Sequence, residues 1–132
     1  MVRPLLILSL LALASTASLL EAQQPAPSPI KRTPLQKVDV PTANYEGITA
    51  TAEIPAGVNI GRHTHPGPET GYLLDGEITL LVEGKPPLLI HAGDSYQIPA
   101  GAIHDAKTGD KAAKLLVVYI VEKGKPLATP AP

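Results

Sequence analysis

Apolar residues are distributed along this chain in two ways. Near the start, Leu5 to Ala14 (LLILSLLALA) is one apolar run of ten residues. Beyond Leu35 the apolar positions come in short bursts, each closed by a turn signal. Leu35 to Val40 predicts a first short edge strand. Tyr45 to Ile54 (YEGITATAEI) alternates β-branched with small or polar residues, the pattern of a strand with one buried face. Asp75-Gly76 separates a strand around Tyr72–Leu74 from another over Ile78 to Val82, and Asp-Gly is a strong hairpin signal. Glu83 to Pro86 is the next turn, Pro87 to His91 the next strand, and Ala92-Gly93-Asp94 turns again. Ser95 to Ile98, a strand from His104, and Lys114 to Val121 (KLLVVYIV) complete the series. No segment after the early run keeps a helical period. Many short strands at close turn spacing predict an all-β sandwich or barrel.

The tetrapeptide IPAG occurs twice, at 54–57 and 98–101. Each copy precedes a strand that carries histidine. We read this as one structural device used at two places, with Pro fixing φ and Gly relieving the backbone.

The ends differ from the middle. Arg3 gives the early apolar run a positive flank, and small residues follow it, with Ser15-Thr16-Ala17 and Leu20-Glu21-Ala22 as cleavage candidates. That is the layout of an export signal over 1–22. The run is short for a membrane span, which needs about 20 residues. We therefore expect a periplasmic or secreted mature protein with no stable membrane insertion after cleavage. Residues 23–34 (QQPAPSPIKRTP) predict a Pro-rich flexible spacer. Residues 122–132 predict a disordered tail. A single domain over 35–121 remains between them.

Composition narrows the chemistry. The 132 residues suffice for one domain. Phe and Trp are absent and aromatics make up 3%, so the core has to be aliphatic. Net charge is −1 without a Lys/Arg cluster, which argues against nucleic acid as a partner. Cys is absent, which excludes disulfides, thiolate metal sites and a Cys nucleophile.

One stretch concentrates the candidate chemistry: GVNIGRHTHPGPETGYLLDG, from Gly57 to Gly76. His63 and His65 lie two apart, hence on one face of a strand. Pro66-Gly67-Pro68 bends the chain. Glu69 sits an even offset beyond His65 and can rejoin that face. His104 follows the second IPAG. The other residues with polar groups read more plainly. His91 is placed near a turn, Asp94 is expected to cap its turn, and Tyr45, Tyr72, Tyr96 and Tyr119 are read as packing residues. The glycines at 57, 76, 93 and 101 are read as serving backbone geometry.

Taken together these spacings are specific. Five residues separate Gly57 from His63, one separates His63 from His65, three lie before Glu69, and six lie before Gly76. Gly93, Pro99, Gly101 and His104 follow at the spacing of a second motif. This resembles the two signature motifs of the cupin family, over roughly residues 45 to 121. The second motif usually ends in Asn, and here that position is Thr108. The resemblance implies a six- to eight-stranded antiparallel jelly-roll barrel. It also implies metal ligation by His63, His65, Glu69 and His104, and a homodimer. Three imidazoles and one carboxylate suit a divalent first-row ion, among Fe, Mn, Ni, Co and Zn, and on an octahedral ion leave two positions open. An exported chain meets its metal outside the cytosol, where Zn competes well, so the ion need not be Fe.

Three functions fit such a site. The first expectation is a metal-dependent dioxygenase acting on a small organic molecule, with Glu69 able to shuttle a proton. The alternatives are an oxygen-independent lyase, isomerase or decarboxylase, and a non-catalytic module that binds a small ligand or a metal. The lyase class needs a base, for which Asp105, Tyr96 and Glu53 are candidates if they face inward. Leu73, Leu81 and Ile103 are the expected pocket walls.

Overall fold

The structure, a computed structural model, describes residues 29–132. The signal peptide read over 1–22 and the first six spacer residues, 23–28, lie outside the described residues. The remainder is all-β, a jelly roll of two five-stranded antiparallel sheets. In chain order the strands are β1 (Lys31–Asp39), β2 (Tyr45–Ile54), β3 (His63–Thr64), β4 (Glu69–Asp75), β5 (Glu77–Val82), β6 (Leu88–His91), β7 (Ser95–Ile98), β8 (His104–Thr108), β9 (Ala113–Glu122) and β10 (Thr129–Pro130). One sheet runs β1-β2-β9-β4-β7 and the other β10-β3-β8-β5-β6.

Strict alternation builds the space between the sheets. In β9 the residues Ala113, Leu115, Val117, Tyr119 and Val121 are buried, and the ones between them are not. The same parity gives Ala50, Ala52 and Ile54 from β2 and Ile78 and Leu80 from β5. Successive side chains of a strand point to opposite faces, so one register decision fixes every wall of the interior. That decision corrects the expected pocket walls. With Ile78 and Leu80 inside, Leu81 must face out, and it lines a surface groove with Ile103. Leu73 is fully buried in the core but does not line the interior cavity.

The two IPAG segments behave as one device. Ile54 and Ile98 are buried strand ends, and Gly57 and Gly101 have nearly equal positive φ, 69° and 70°. Each glycine N–H is then tied across the barrel, Gly57 to the Gly109 carbonyl and Gly101 to the His65 carbonyl. The second tie joins the turn before His104 directly to the first histidine segment.

Both ends of the domain extend beyond the expected limits. β1 starts at Lys31, inside the segment read as spacer, because residues 31–34 pair with Ala50 to Glu53 of β2. The chain after Glu122 does not trail away. It returns to the barrel, where Thr129 and Pro130 pair with Thr64 and His63, and the Ala131 N–H donates to the Arg62 carbonyl. The backbone groups of β3 are thereby paired on both sides, by β10 and by β8.

Pro66-Gly67-Pro68 hugs β9. Ile120 N–H donates to the Pro68 carbonyl and Glu122 N–H to the Pro66 carbonyl. A Cβ on Gly67 would overlap the Ile120 carbonyl. Gly67→Ala is expected to cost about 3 kcal/mol by overpacking backbone that cannot yield. Gly109→Ala, where nothing lies within 4 Å, should stay within about 0.5 kcal/mol of the parent. Urea unfolding of the two variants checks this, and equal midpoints would contradict the close approach.

Candidate metal centre

The bend after β3 preserves parity. His63, His65, Gly67, Glu69, Gly71 and Leu73 are all buried, each separated from the next by a residue that is not. Glu69 therefore does rejoin the face of the two histidines. His63 on β3 lies directly opposite His104 on β8 in one sheet. Glu69 on β4 lies opposite Tyr119 on β9 in the other. The four residues named by spacing thus meet from both sheets across the barrel interior.

Their geometry is tight. The ring centroids are 4.2 Å apart for His63 and His104, 4.9 Å for His63 and His65, and 5.1 Å for His65 and His104. One nitrogen from each ring lies within 4.8 Å of the others. Glu69 Oε2 is 2.8 Å from His65 Nε2 and 3.6 Å from His104 Nε2.

Backbone carbonyls decide which nitrogens face inward. His63 Nδ1 donates to the Gly61 carbonyl at 2.8 Å, His104 Nδ1 to the Ala102 carbonyl at 2.9 Å, and His65 Nδ1 to the Leu127 carbonyl at 2.5 Å. A carbonyl oxygen can only accept, so each Nδ1 carries a proton. All three Nε2 atoms are then left as lone pairs for the centre. Orienting partners of this kind fix tautomer and ring angle in metal sites. Gly61 is itself held by Asp105, whose Oδ1 accepts from the Gly61 N–H at 3.0 Å and from its own neighbour Ala106 at 2.7 Å.

A lone pair facing a carboxylate is unfavourable unless a positive charge lies between them. His65 Nε2 is buried and has no hydrogen-bond partner, yet it faces Glu69 Oε2. Either a shared proton or a cation answers that need. The donor set suits a divalent metal: three imidazole lone pairs, one carboxylate and no thiol. The three buried histidines could hold such an ion.

The electrostatics agree. Burial works to raise the Glu69 carboxyl, but a proton shared with the His104 and His65 rings, together with the Tyr96 hydroxyl, outweighs it and holds the group well below the usual carboxylate range. Burial brings the His63 imidazole down to about 4, against the pull of the Gly61 carbonyl and with help from His104 and His65. His63 is thus neutral, as a ligand must be.

Two tyrosines belong to this site: Tyr96, read as packing and as a base candidate, and Tyr119, read as packing. Tyr96 Oη donates to Glu69 Oε1 at 2.6 Å. Burial and the Glu69 charge push the Tyr96 phenol well above its ordinary value. The Tyr119 ring lies 4.9 Å from that of His65, and burial raises its phenol to about 12. Of the other base candidates, Glu53 is on the outer surface near Lys114, 3.9 Å away, and Asp105 is occupied with backbone. His91 is exposed and pairs with Glu77 at 3.0 Å, while Asp94 caps its turn by accepting the His91 N–H. Thr108 is more than a turn residue. Its hydroxyl donates to the Pro55 carbonyl and accepts from the Val58 N–H, fastening the loop after the first IPAG to β8.

These residues surround a small cavity of about 20 Å³, lined by His63, His104, Glu69 and Tyr96 at one side and by aliphatic residues such as Ile54 and Leu80 at the other.

Comparison with known proteins accords with this geometry. A family model described as "Cupin domain" matches residues 50–119. Over 66 residues the chain is 36% identical to dimethylsulfoniopropionate lyase DddQ of Ruegeria pomeroyi, a stretch that is 50% of this chain and 33% of that protein. The chain therefore matches about a third of that relative's length. The crystal structure of the same lyase superposes with a TM-score of 0.66 at 24% identity, covering 77% of this chain and 51% of the other. The polyketide cyclase RemF of Streptomyces resistomycificus superposes with a TM-score of 0.64 at 20% identity, covering 83% and 76%. At these identities the superpositions speak for the fold.

The His63 ring generates a prediction for the metal-free protein. Its folded value of about 4 lies below the ordinary 6.5, so the unfolded chain takes up the proton first as pH falls. The contribution is complete above pH 6.5 and is lost by about pH 4. At about 1.4 kcal/mol for each pH unit between the two values, the loss is at most about 3.5 kcal/mol, less what water screens at the cavity mouth. Urea unfolding at pH 7, 5.5 and 4.5 should show this decline, and His63→Gln should flatten it. Stability unchanged over that range would contradict the buried neutral ring.

Proposed function

The chain belongs to the cupin family, and on that premise we propose that it is a metal-dependent lyase acting on a small organic molecule without dioxygen. His63, His65, His104 and Glu69 would hold one divalent ion per chain. When bound there, such an ion supplies Lewis acidity toward a substrate oxygen. The curated relative named as a lyase supports this class over the dioxygenase expected first.

The observation that carries the reading is the two-sided use of Glu69. Its Oε2 faces the imidazole nitrogens, while its Oε1 accepts the Tyr96 hydroxyl. One carboxylate joins the nitrogen cluster to a phenol that also lines the cavity. That pair is a proton relay. In an elimination, Tyr96 Oη takes the proton from a substrate carbon as its own proton passes to Glu69 Oε1. The electron pair of that C–H bond becomes the new C=C bond, and the leaving group departs from the adjacent carbon with its bonding pair. A base in hydrogen-bond reach of its acceptor is the geometry such a step needs. The aliphatic wall keeps competing water out.

Dimethylsulfoniopropionate is the first compound to test, followed by other small molecules with a leaving group next to an acidic C–H. NMR should show vinyl protons appearing at the same rate under air and under nitrogen. Tyr96→Phe should lower kcat about a hundredfold or more at unchanged metal content. Product formation that consumes one dioxygen per turnover would overturn the lyase reading.

A further inference from the structure

Among the described residues one permanent cation lines the cavity. Arg32, on β1, is among its lining residues, and its Nε donates to Tyr119 Oη at 3.1 Å. β1 brings it there through its register with β2, where Arg32 lies opposite Ala52, itself a cavity wall. Arg32 is half-buried, and among the described residues no carboxylate lies within ion-pair distance of it. Among the described residues Glu69 is the only acid lining the cavity, and its two oxygens are turned to the imidazoles and Tyr96.

A guanidinium withdrawn from water without a counter-ion is costly, and a planar pair of Nη donors matches a carboxylate in two parallel bonds. Tyr119 fixes one edge of the group, and among the described residues the Nη atoms have no hydrogen-bond partner. The field of Arg32 reaches His63, Tyr96 and Tyr119, which places the charge within range of the reacting groups. The rest of the wall, with Ile30, Ile54 and Ile60, offers only apolar contact. The free interior is small, about 20 Å³, which restricts a ligand to a short chain with its head group at the half-exposed Arg32.

We propose that Arg32 is the carboxylate anchor of this site, so that its ligands are small aliphatic carboxylates. The carboxylate docks on Arg32, the short carbon chain lies along Ile54 and Ile60, and the reactive carbon faces Tyr96 and Glu69. The assignment of a substrate class rests on the lyase reading, whereas the anchoring itself is a binding property that is measured without turnover. Arg32 binds and orients.

The test titrates propionate and its neutral isostere propionamide into the metal-free protein and into the zinc-loaded protein, followed by NMR. The parent should bind propionate about tenfold or more tightly than propionamide in both forms, the size expected for a charge-assisted pair. Arg32→Gln should abolish that preference in the metal-free form, and Arg32→Lys should keep part of it. Zinc content and the urea midpoint of each variant establish that the site and fold persist. A preference for propionate that is equal in the parent and in Arg32→Gln overturns the anchor, as does a parent that binds both probes alike. Arg32-dependent propionate binding without lyase turnover supports the anchor and counts only against the lyase reading. Turnover with a KM unmoved by Arg32→Gln overturns the anchor and leaves the lyase reading intact.

Discussion

Three histidine rings are turned the same way because each spends its Nδ1 proton on a main-chain carbonyl. That constraint organises the interior. Gly61, Ala102 and Leu127 supply the carbonyls, and each comes from a different loop or segment. The Nε2 lone pairs are then committed to a common point, faced by the Glu69 carboxylate. Such a cluster is unfavourable in isolation, since lone pairs and a negative charge face one another away from water. A cation relieves it. The barrel holds the arrangement by sheet register and side-chain parity.

The loops support the same arrangement. Asp105 steadies Gly61, which orients His63. Thr108 fastens the loop after the first IPAG, and Gly101 links the second IPAG to His65. The returning C-terminal segment supplies the Leu127 carbonyl and pairs with β3. The tail is therefore part of the site's scaffold. Glu69 connects this scaffold to a proton-transfer pair, because Tyr96 bonds to the oxygen that the imidazoles leave free. Gly71 makes room for that contact, since a Cβ there would overlap the Tyr96 ring.

Much of this was legible in the chain itself. The spacing of His63, His65 and Glu69 allowed them to share a face, and they do because the Pro66-Gly67-Pro68 bend keeps the alternation of buried and less buried residues. Turn chemistry at Asp75-Gly76 and at the two IPAG segments marked strand ends correctly. Other features have no local signal. Tyr96 and Tyr119 look like any strand tyrosine until the sheets are stacked. Arg32 lies in a Pro-containing stretch that reads as a linker, and only its pairing with β2 draws it over the cavity. The tail is polar and proline-rich, and its return to the barrel depends on hydrogen bonds to β3 that no local pattern encodes. Leu81 was misplaced for a simpler reason, since the run ITLLV over Ile78 to Val82 offers apolar residues on both faces and only packing selects Ile78 and Leu80.

The account stands or falls on whether His63, His65, His104 and Glu69 take up one cation together. Calorimetric titration of zinc or manganese into the metal-free protein measures this most directly. One equivalent per chain is predicted for the parent and for His91→Ala, with binding lost in the His63→Ala, His65→Ala double variant. Absence of stoichiometric binding by the parent, or binding that survives in the double variant, would contradict it.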